Sequence, residues 1–261
     1  MRSQQRTEYL IQTAIKDGFV SISDAALQLD VSIETIRRDI NLLDQEGKLR
    51  KVRGGAEPIH RYLRKDLPLA MRIYHNEDEK NRVGYTAAQL IRDNSIVGLD
   101  GGASIQIMAS YITGVQNVTF ITNSLPIAVI LEKKLFNKEI TGRLFFIGGE
   151  MDIESQYSKG ALAIEALKAY NFDQCFLSCS ALSTYGVSDY STEGSAFSGY
   201  MVVHSLQSIL LAEQDKLGKN SLHKYAEITD FDSIVLGDPS SVPTEIKKAL
   251  EKSGTRLIFA S

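Results

Sequence analysis

Two adjacent arginines, Arg37 and Arg38, lie in a segment whose apolar residues have the spacing of a helix. A guanidinium group can bind a guanine edge in the major groove of DNA, or a backbone phosphate. On a helix from Ser32 to about Glu46, Arg38 falls nearly opposite the apolar face. We therefore predict base contacts for Arg38 and Thr35 and a phosphate contact for Arg37. The apolar face consists of Ile33, Ile36, Ile40 and Leu43. The residues of this helix predicted to bind DNA are Ser32, Glu34, Thr35, Arg37 and Arg38.

A run of basic residues follows this helix, which is predicted to end at Gly47. The run ends at Gly54 and Gly55, a pattern typical of a basic hairpin, or wing. Its charges would lie along the DNA backbone or a minor groove and add affinity without reading sequence. A shorter helix, residues 24–29 with Ser23 as its cap, precedes the longer one. An exposed arginine pair is usually only a solvated face, but these features together predict a winged helix-turn-helix. The wing residues predicted to bind DNA are Lys48, Arg50, Lys51 and Arg53.

A second group of residues has the types and spacing of a small-molecule site. Two glycines after Asp100 stand where a predicted strand ends and a helix begins, so the backbone can approach a ligand and the helix N–H groups favour an anion. Ligands of open α/β sheets bind outside the carboxyl ends of the strands, so we expect several such loops to form one pocket. Taken singly, each loop is more often a turn or a helix cap. The predicted effector-binding residues are Asp100, Gly101, Gly102, Ala103, Ser104, Thr122, Asn123, Ser124, Gly148, Gly149 and Lys216.

The elements that would hold these residues alternate between helix and strand from residue 77 onward. Such alternation favours a mostly parallel sheet with helices on both faces. We therefore predict an α/β protein with three parts: a winged helix-turn-helix DNA-binding domain over residues 1–57, a linker over 58–76, and a larger, mostly parallel α/β domain over 77–261. The larger domain is predicted to bind the effector and to form the oligomer. The strands predicted for the larger domain span residues 95–99, 118–122, 143–147, 173–178, 208–212, 233–236 and 255–259.

Composition separates the two parts of the chain and narrows the class of protein. Residues 1–65 carry a net charge of +3, and the remainder carries −6, which favours nucleic-acid binding by the N-terminal part alone. Neither a membrane span nor a secretion signal is present in the sequence, so we expect a cytoplasmic protein. Cys175 and Cys179 are too far apart along one strand for a disulfide and are interpreted as apolar fillers. The four histidines are scattered, so we predict no metal site and no cofactor.

A set of residues spread over most of the chain forms a recognisable pattern. Its members are Ser32 to Ile40, Leu43, Gly47, Leu49, Arg53 to Ala56, Arg72, Asn76, Glu79, Lys80, Asp100 to Gly102, Thr122 to Ser124, Gly148, Gly149, Gly160, Gly186 and Lys216. In this pattern the sequence resembles the DeoR family of bacterial regulators, and the N-terminal match is the more specific one. The resemblance implies a winged helix-turn-helix, a sensor domain akin to ribose-phosphate isomerases, a homo-oligomer (dimer or tetramer), and repression of a DNA operator that a phosphorylated sugar usually relieves.

This sequence departs from the family pattern at three places in the expected sensor site. Ala103 stands where the family usually has threonine, and Asp215 stands where it usually has serine, just before Lys216. The segment 193–200 lacks the basic residues common in relatives. A carboxylate beside a phosphate is unfavourable, so the effector is either an unusual sugar phosphate or a molecule without phosphate.

Two other functions fit the same residues. A sugar-phosphate isomerase-like enzyme could use Asp100, Glu193 and Glu213 for acid–base chemistry. Against this, the sequence has no nucleophile elbow, P-loop or dinucleotide-binding motif, and an enzyme has no use for a basic wing. The other alternative is a DNA-binding protein whose α/β domain only dimerises and senses nothing. We predict a regulator without enzymatic activity.

Overall fold

Residues 3–17, 19–46, 48–58 and 68–260 are described by a computed structural model of the chain. They belong to two units with separate hydrophobic cores, Met1–Asn76 and Glu77–Ser261. The helix end predicted at Gly47 and the basic part of the predicted linker lie outside the described residues.

The first unit is a winged helix-turn-helix. Its three main helices enclose a core that includes Leu10, Ile36 and Ile40, and its antiparallel sheet has the strand order β1-β3-β2. A short fourth helix lies within the segment predicted as a linker, and its first residue, Leu69, is buried. The elements are α1 (Ser3–Asp17), β1 (Val20–Ser21), α2 (Ile22–Gln28), α3 (Ile33–Gln45), β2 (Leu49–Val52), β3 (Gly55–Pro58) and α4 (Leu69–Arg72).

Helix α2 begins earlier than predicted, and its cap is Ser21 instead of Ser23. The Ser21 hydroxyl accepts a hydrogen bond from the backbone N–H of Asp24 at 3.3 Å. Ser21 is extended because it pairs with Gly55 of β3, and an extended residue directly before a helix is the conformation that an N-cap requires. The prediction was wrong because this long-range strand pairing is invisible in the local sequence.

The buried face of α3 also differs from the prediction. Ile33 is 48% exposed, whereas Asp39 is buried together with the predicted apolar residues. With about 100° per residue, including Asp39 moves the centre of the buried face away from Ile33 and leaves Ile33 at the rim. Asp39 pairs with Arg6 of α1, whose Nε lies 2.8 Å from Oδ2. This buried ion pair fastens α3 to α1.

The second unit is built on a seven-stranded sheet in which all neighbouring strands are parallel. The strand order is β15-β14-β12-β9-β4-β5-β6, so the first strand along the chain, β4, lies inside the sheet. The strands are β4 (Ile96–Leu99), β5 (Val118–Thr122), β6 (Gly142–Phe146), β9 (Gln174–Ser178), β12 (Ser208–Ala212), β14 (Ser233–Leu236) and β15 (Arg256–Phe259).

Helices cover both faces of this sheet, as predicted. Three helices pack on one face and three on the other, and strand residues alternate between the two cores: Ile209 and Leu211 of β12 join one, and Leu210 joins the other. The first three helices are α5 (Glu77–Ala88), α6 (Ala103–Tyr111) and α7 (Leu125–Phe136). The other three are α8 (Ala161–Leu167), α9 (Thr192–Val203) and α10 (Thr244–Ser253).

Five short antiparallel strands were not predicted. They form a hairpin and a small three-stranded sheet beside the main one. These strands are β7 (Glu150–Asp152), β8 (Tyr157–Lys159), β10 (Ala181–Ser183), β11 (Gly186–Asp189) and β13 (His223–Ala226).

Cys175 and Cys179 are buried, free thiols, and burial raises the pKa of Cys179 to about 12. Among the described residues, none of the helices is long and apolar enough to cross a bilayer.

Candidate functional site

The exposed side of α3 carries most of the residues predicted to read DNA. Ser32 caps the helix: its hydroxyl accepts a hydrogen bond from the N–H of Thr35 at 3.1 Å, and the two hydroxyls lie 2.8 Å apart. Arg37 lies 3.6 Å from Glu34 in an exposed ion pair. Arg38 is exposed, and within the described residues it forms no ion pair. Its guanidinium is therefore available to an outside partner.

The wing is a hairpin of β2 and β3 with a two-residue turn, and most of its cations already have partners. Arg50 pairs with Glu57 across the hairpin at 2.6 Å. Lys51 donates to the Asn41 side chain of α3 at 2.6 Å. Arg53 is exposed in the turn beside Gly54, whose φ of +87° favours glycine. The remaining wing cation, Lys48, lies 2.7 Å from Glu46.

In the second unit, the Asp100 loop lies at the point where the chain reverses its direction of travel across the sheet. From β4 the chain proceeds through β5 to the edge strand β6 and then returns to β9 on the other side of β4. The crevice at such a switch point is where open α/β sheets bind ligands. The two strand ends are close together here: a Cβ placed on Gly102 would lie 2.3 Å from the hydroxyl of Ser178, the last residue of β9.

Asp100 has a buried carboxyl group that accepts hydrogen bonds from two parts of the chain. The Ser198 hydroxyl of α9 donates to Oδ2 at 2.9 Å, and the N–H of Gly101 donates to Oδ1 at 2.8 Å. Burial raises the pKa of Asp100 to about 7 despite these hydrogen bonds, which favour the charged form. The carboxyl group can therefore change its charge near neutral pH.

This raised pKa predicts how stability depends on pH. Because the folded state holds a proton that the unfolded state releases above about pH 4, the contribution of Asp100 to stability falls as the pH rises from about 4 through about 7. We expect Asp100→Asn to abolish this decline, so that its melting temperature rises relative to wild type between pH 5 and pH 8. The exposed Asp78→Asn substitution in α5 is the control. Parallel wild-type and Asp100→Asn curves would contradict the prediction.

An ion pair between Lys216 and Glu213 lies at the carboxyl end of β12. The Lys216 ammonium is 2.5 Å from Oε2 of Glu213, whose side chain has no exposed surface. The Ser104 hydroxyl of α6 donates to the other carboxylate oxygen and lies 3.4 Å from the Lys216 ammonium. Burial opposes the charge of Glu213, but Lys216 and the buried Lys80 outweigh burial and lower its pKa. An internal carboxylate thus occupies the position between Ser104 and Lys216.

The loop after β5 is buried and contains polar atoms without partners. Thr122, Asn123 and Ser124 are each at most 2% exposed. The Asn123 amide donates to the carbonyl of Ser158 at 2.8 Å, but its own Oδ1 and the Ser124 hydroxyl have no hydrogen-bond partner within the described residues. A buried polar atom without a partner is costly. These two oxygens would gain hydrogen bonds from a polar ligand.

Tyr157 of β8 connects this loop to the Asp100 loop, and the sequence did not single it out. The backbone of Tyr157 forms an antiparallel β-bridge with Ser124. A Cβ placed on Gly101 would lie 3.2 Å from the Tyr157 side chain. Its hydroxyl donates to Ser191, the cap of α9, at 3.0 Å. Burial raises the pKa of Tyr157 to about 12, so it stays protonated.

The structure brings the predicted effector residues together unevenly. Ser104 and Lys216 meet at Glu213, and Ala103 is buried beside Ser104 in the first turn of α6. Gly148 and Gly149 lie farther along the sheet, after β6, where Gly149 approaches the carbonyl of Lys159. Four residues next to the site were not predicted from the sequence: Ser178, Ser198, Tyr157 and Lys80. Of these, only Lys80 could have been found from the sequence, because it matches the family pattern.

Comparison with known proteins agrees with this arrangement. The chain matches the DeoR-like helix-turn-helix domain over residues 6–62 and the DeoR C terminal sensor domain over residues 75–238. It is 27% identical to the HTH-type transcriptional repressor GlcR of Bacillus subtilis, over 90% of this chain and 88% of that protein. It is 26% identical to a lactose phosphotransferase system repressor of Staphylococcus epidermidis, over 90% and 92% of the two chains.

Among solved structures, a probable sor operon regulator from Shigella flexneri superposes with a TM-score of 0.40 at 13% identity, covering 71% of this chain and 85% of that one. That structural likeness is too weak to bear on function. The match to the sensor-domain family, by contrast, spans more than half of the chain. The chain therefore belongs to the DeoR family of helix-turn-helix transcriptional regulators, with an N-terminal DNA-binding domain followed by a sensor domain.

Proposed function

We propose that this protein represses transcription by binding operator DNA through α3 and the wing, and that a sugar phosphate or related small anion in the strand-end pocket changes its affinity for DNA. The observation that carries the proposal is the site at the β4–β9 switch point. There the Asp100 loop, the start of α6 and Lys216 meet. One of the two relatives is named a lactose phosphotransferase system repressor, which supports an effector of the sugar class.

The buried polar atoms at the end of β5 support a hydroxyl-bearing ligand in particular. The unpartnered Asn123 Oδ1 would accept a hydrogen bond from a sugar hydroxyl, and the Ser124 hydroxyl would donate to or accept from another. The start of α6 and Lys216 would favour a negative group. Because Glu213 already occupies Ser104 and Lys216, an anion at that position has to displace its carboxylate.

The test is fluorescence anisotropy of the full chain with DNA from the intergenic region upstream of its gene, at two salt concentrations. The panel is glucose 6-phosphate, fructose 6-phosphate, ribose 5-phosphate and the three parent sugars. Salt-sensitive binding tighter than to random DNA, released by a phosphate ester and not by its parent sugar, is the expected result. Release by a parent sugar alone would overturn the anionic effector.

Two further assays separate this proposal from its alternatives. An isomerase-like enzyme would interconvert aldose and ketose phosphates, and we propose that this protein does not. A domain that only dimerises would show no rise in melting temperature with any member of the panel, whereas a ligand that binds the folded state raises it.

We further propose that the protein acts in the cytoplasm as a homo-oligomer, a dimer or tetramer, since paired recognition helices match half-sites spaced by whole helical turns. Sedimentation velocity with and without DNA measures the assembly. A monomer bound to a single half-site would contradict it.

The cations of the wing predict unequal contributions to DNA affinity. Arg53→Ala is expected to weaken binding to operator and random DNA about equally and to reduce the slope of log K against log salt by about 1. Arg50→Ala is the matched control. It should change the DNA affinity and the salt slope less than Arg53→Ala does, because Glu57 already neutralises Arg50. Equal effects of the two substitutions in a salt titration would show that the Arg50–Glu57 pair opens on DNA.

A further inference from the structure

The first turn of α5 lies at the boundary between the two units of the chain. Glu77, the first residue of this helix, is also the first residue of the sensor unit, and Asn76 is the last residue of the DNA-binding unit. The start of α5 is therefore covalently continuous with the end of the DNA-binding unit.

The same turn contacts the loop that carries the ion pair. The Glu79 carboxylate accepts a hydrogen bond from the backbone N–H of Gln214 at 2.9 Å. It also lies against the end of β14, since a Cβ placed on Gly237 would be 2.1 Å from its Oε1. Gln214 is the residue directly after Glu213 and two before Lys216. Glu79 thus joins the start of α5 to two strand ends of the sensor unit.

Lys80 provides a second link from the same turn. Its side chain is buried, and burial lowers its pKa, while the charge of Glu213 acts in the opposite direction. The ammonium of Lys80 in turn helps to keep Glu213 charged. Two successive residues of α5 therefore depend on the conformation of the 213–216 loop, one through a hydrogen bond and one through charge.

We propose that Glu79 is the residue that transmits occupancy of the pocket to the DNA-binding unit; this inference rests on the proposed sensor function. An anion that binds Ser104 and Lys216 takes both partners of the Glu213 carboxylate. The 213–216 loop then changes conformation, and the bond from Gln214 to Glu79 carries that change to the start of α5. Glu79 positions the helix and does not touch the effector.

The experiment measures coupling separately from the two binding events, because allostery is a difference in free energy between them. The probe is a mixture of glucose 6-phosphate, fructose 6-phosphate and ribose 5-phosphate. For each full-length variant, calorimetry gives an apparent dissociation constant, expressed as the total concentration of sugar phosphate. Anisotropy gives the affinity for DNA with and without the mixture. The variants are Glu79→Ala, Glu79→Gln and Asp78→Ala, the last being an exposed acidic neighbour in the same turn.

We expect the mixture to change the DNA affinity of wild type and of Asp78→Ala by about tenfold or more, within the usual range of allosteric coupling. In Glu79→Ala this change should fall below about twofold, while each separate affinity stays within about threefold of wild type. Glu79→Gln should recover part of the coupling, because its amide oxygen still accepts from Gln214.

Two results would overturn the inference in different ways. Full coupling in Glu79→Ala, or a loss of coupling that merely follows a loss of affinity for the mixture, would remove Glu79 from the transmission. A mixture that neither binds wild type nor alters its DNA affinity would overturn the proposed sensor function and the role of Glu79 with it.

Discussion

Lys216→Met is expected to lower the free energy of unfolding of the sensor unit by about 3–5 kcal/mol, the usual cost of removing one partner of a buried ion pair. The cause is Glu213, which is fully buried and loses the ammonium 2.5 Å from its carboxylate. Lys80 also lowers the pKa of Glu213, so it offsets part of this loss. Urea unfolding followed by amide hydrogen exchange in β12 measures the effect, and DNA binding by the first unit should survive.

A double variant separates the ion pair from simple loss of packing. Lys216→Met combined with Glu213→Gln removes both charges and should be more stable than Lys216→Met alone, because no buried charge is left without a partner. A double variant less stable than either single variant would show that the two side chains act independently.

The pH dependence has a definite sign. In wild type the pKa of Glu213 lies below its usual value, so its stabilisation is present above about pH 4.5 and is lost as the pH falls through the folded value. In Lys216→Met, burial still raises the pKa of Glu213 but the lowering effect of Lys216 is gone, so the carboxyl group protonates at higher pH. The stability difference between the two proteins should therefore shrink as the pH is lowered toward 5.

Arg38→Ala is expected to cost about 1–3 kcal/mol in operator binding, which is roughly a 5- to 150-fold loss of affinity, and to flatten the preference for operator over random DNA. Arg38 projects from the side of α3 opposite its core and forms no ion pair within the described residues. Competition anisotropy with operator and random duplexes measures both quantities.

Arg37→Ala is the matched control, since Arg37 is exposed on the same helix but lies beside Glu34. It should weaken both duplexes by a similar and smaller factor, because a phosphate contact carries no sequence information. An operator preference that survives Arg38→Ala unchanged would show that another face of α3 enters the groove.

The parallel sheet was predictable because its strands are buried on both faces and read as short apolar runs, such as Ile209 to Ala212. The five antiparallel strands have three or four residues each and include polar ones such as Glu150 to Asp152. Four of them pair with the next strand along the chain, β7 with β8 and β10 with β11. Runs of three or four residues are too short to show the alternation of a strand, so local pattern does not reveal them.

The site divides in a similar way. The Asp100 loop has a local signal, two glycines between a strand and a helix, and so do the lysine and the loop after β5. Ser178, Ser198 and Tyr157 have none, because serine and tyrosine are common and these residues reach the site only through the order of the strands. The sequence showed Glu213 as a possible acid or base; its pairing with Lys216 and Ser104 required the fold.

The position of β4 also bears on how a newly made chain assembles. β4 is the first strand of its sheet to be synthesised, yet it lies beside β9, which follows much later in the sequence. Pairing between distant segments slows folding, and N-terminal domains generally fold first during synthesis. The helices and hairpin of the first unit are neighbours in sequence, so their contacts form earlier than the pairing of β4 with β9. We therefore expect the DNA-binding unit of each new molecule to fold before its sensor unit, so that the surface that contacts DNA forms before the site that binds the metabolite.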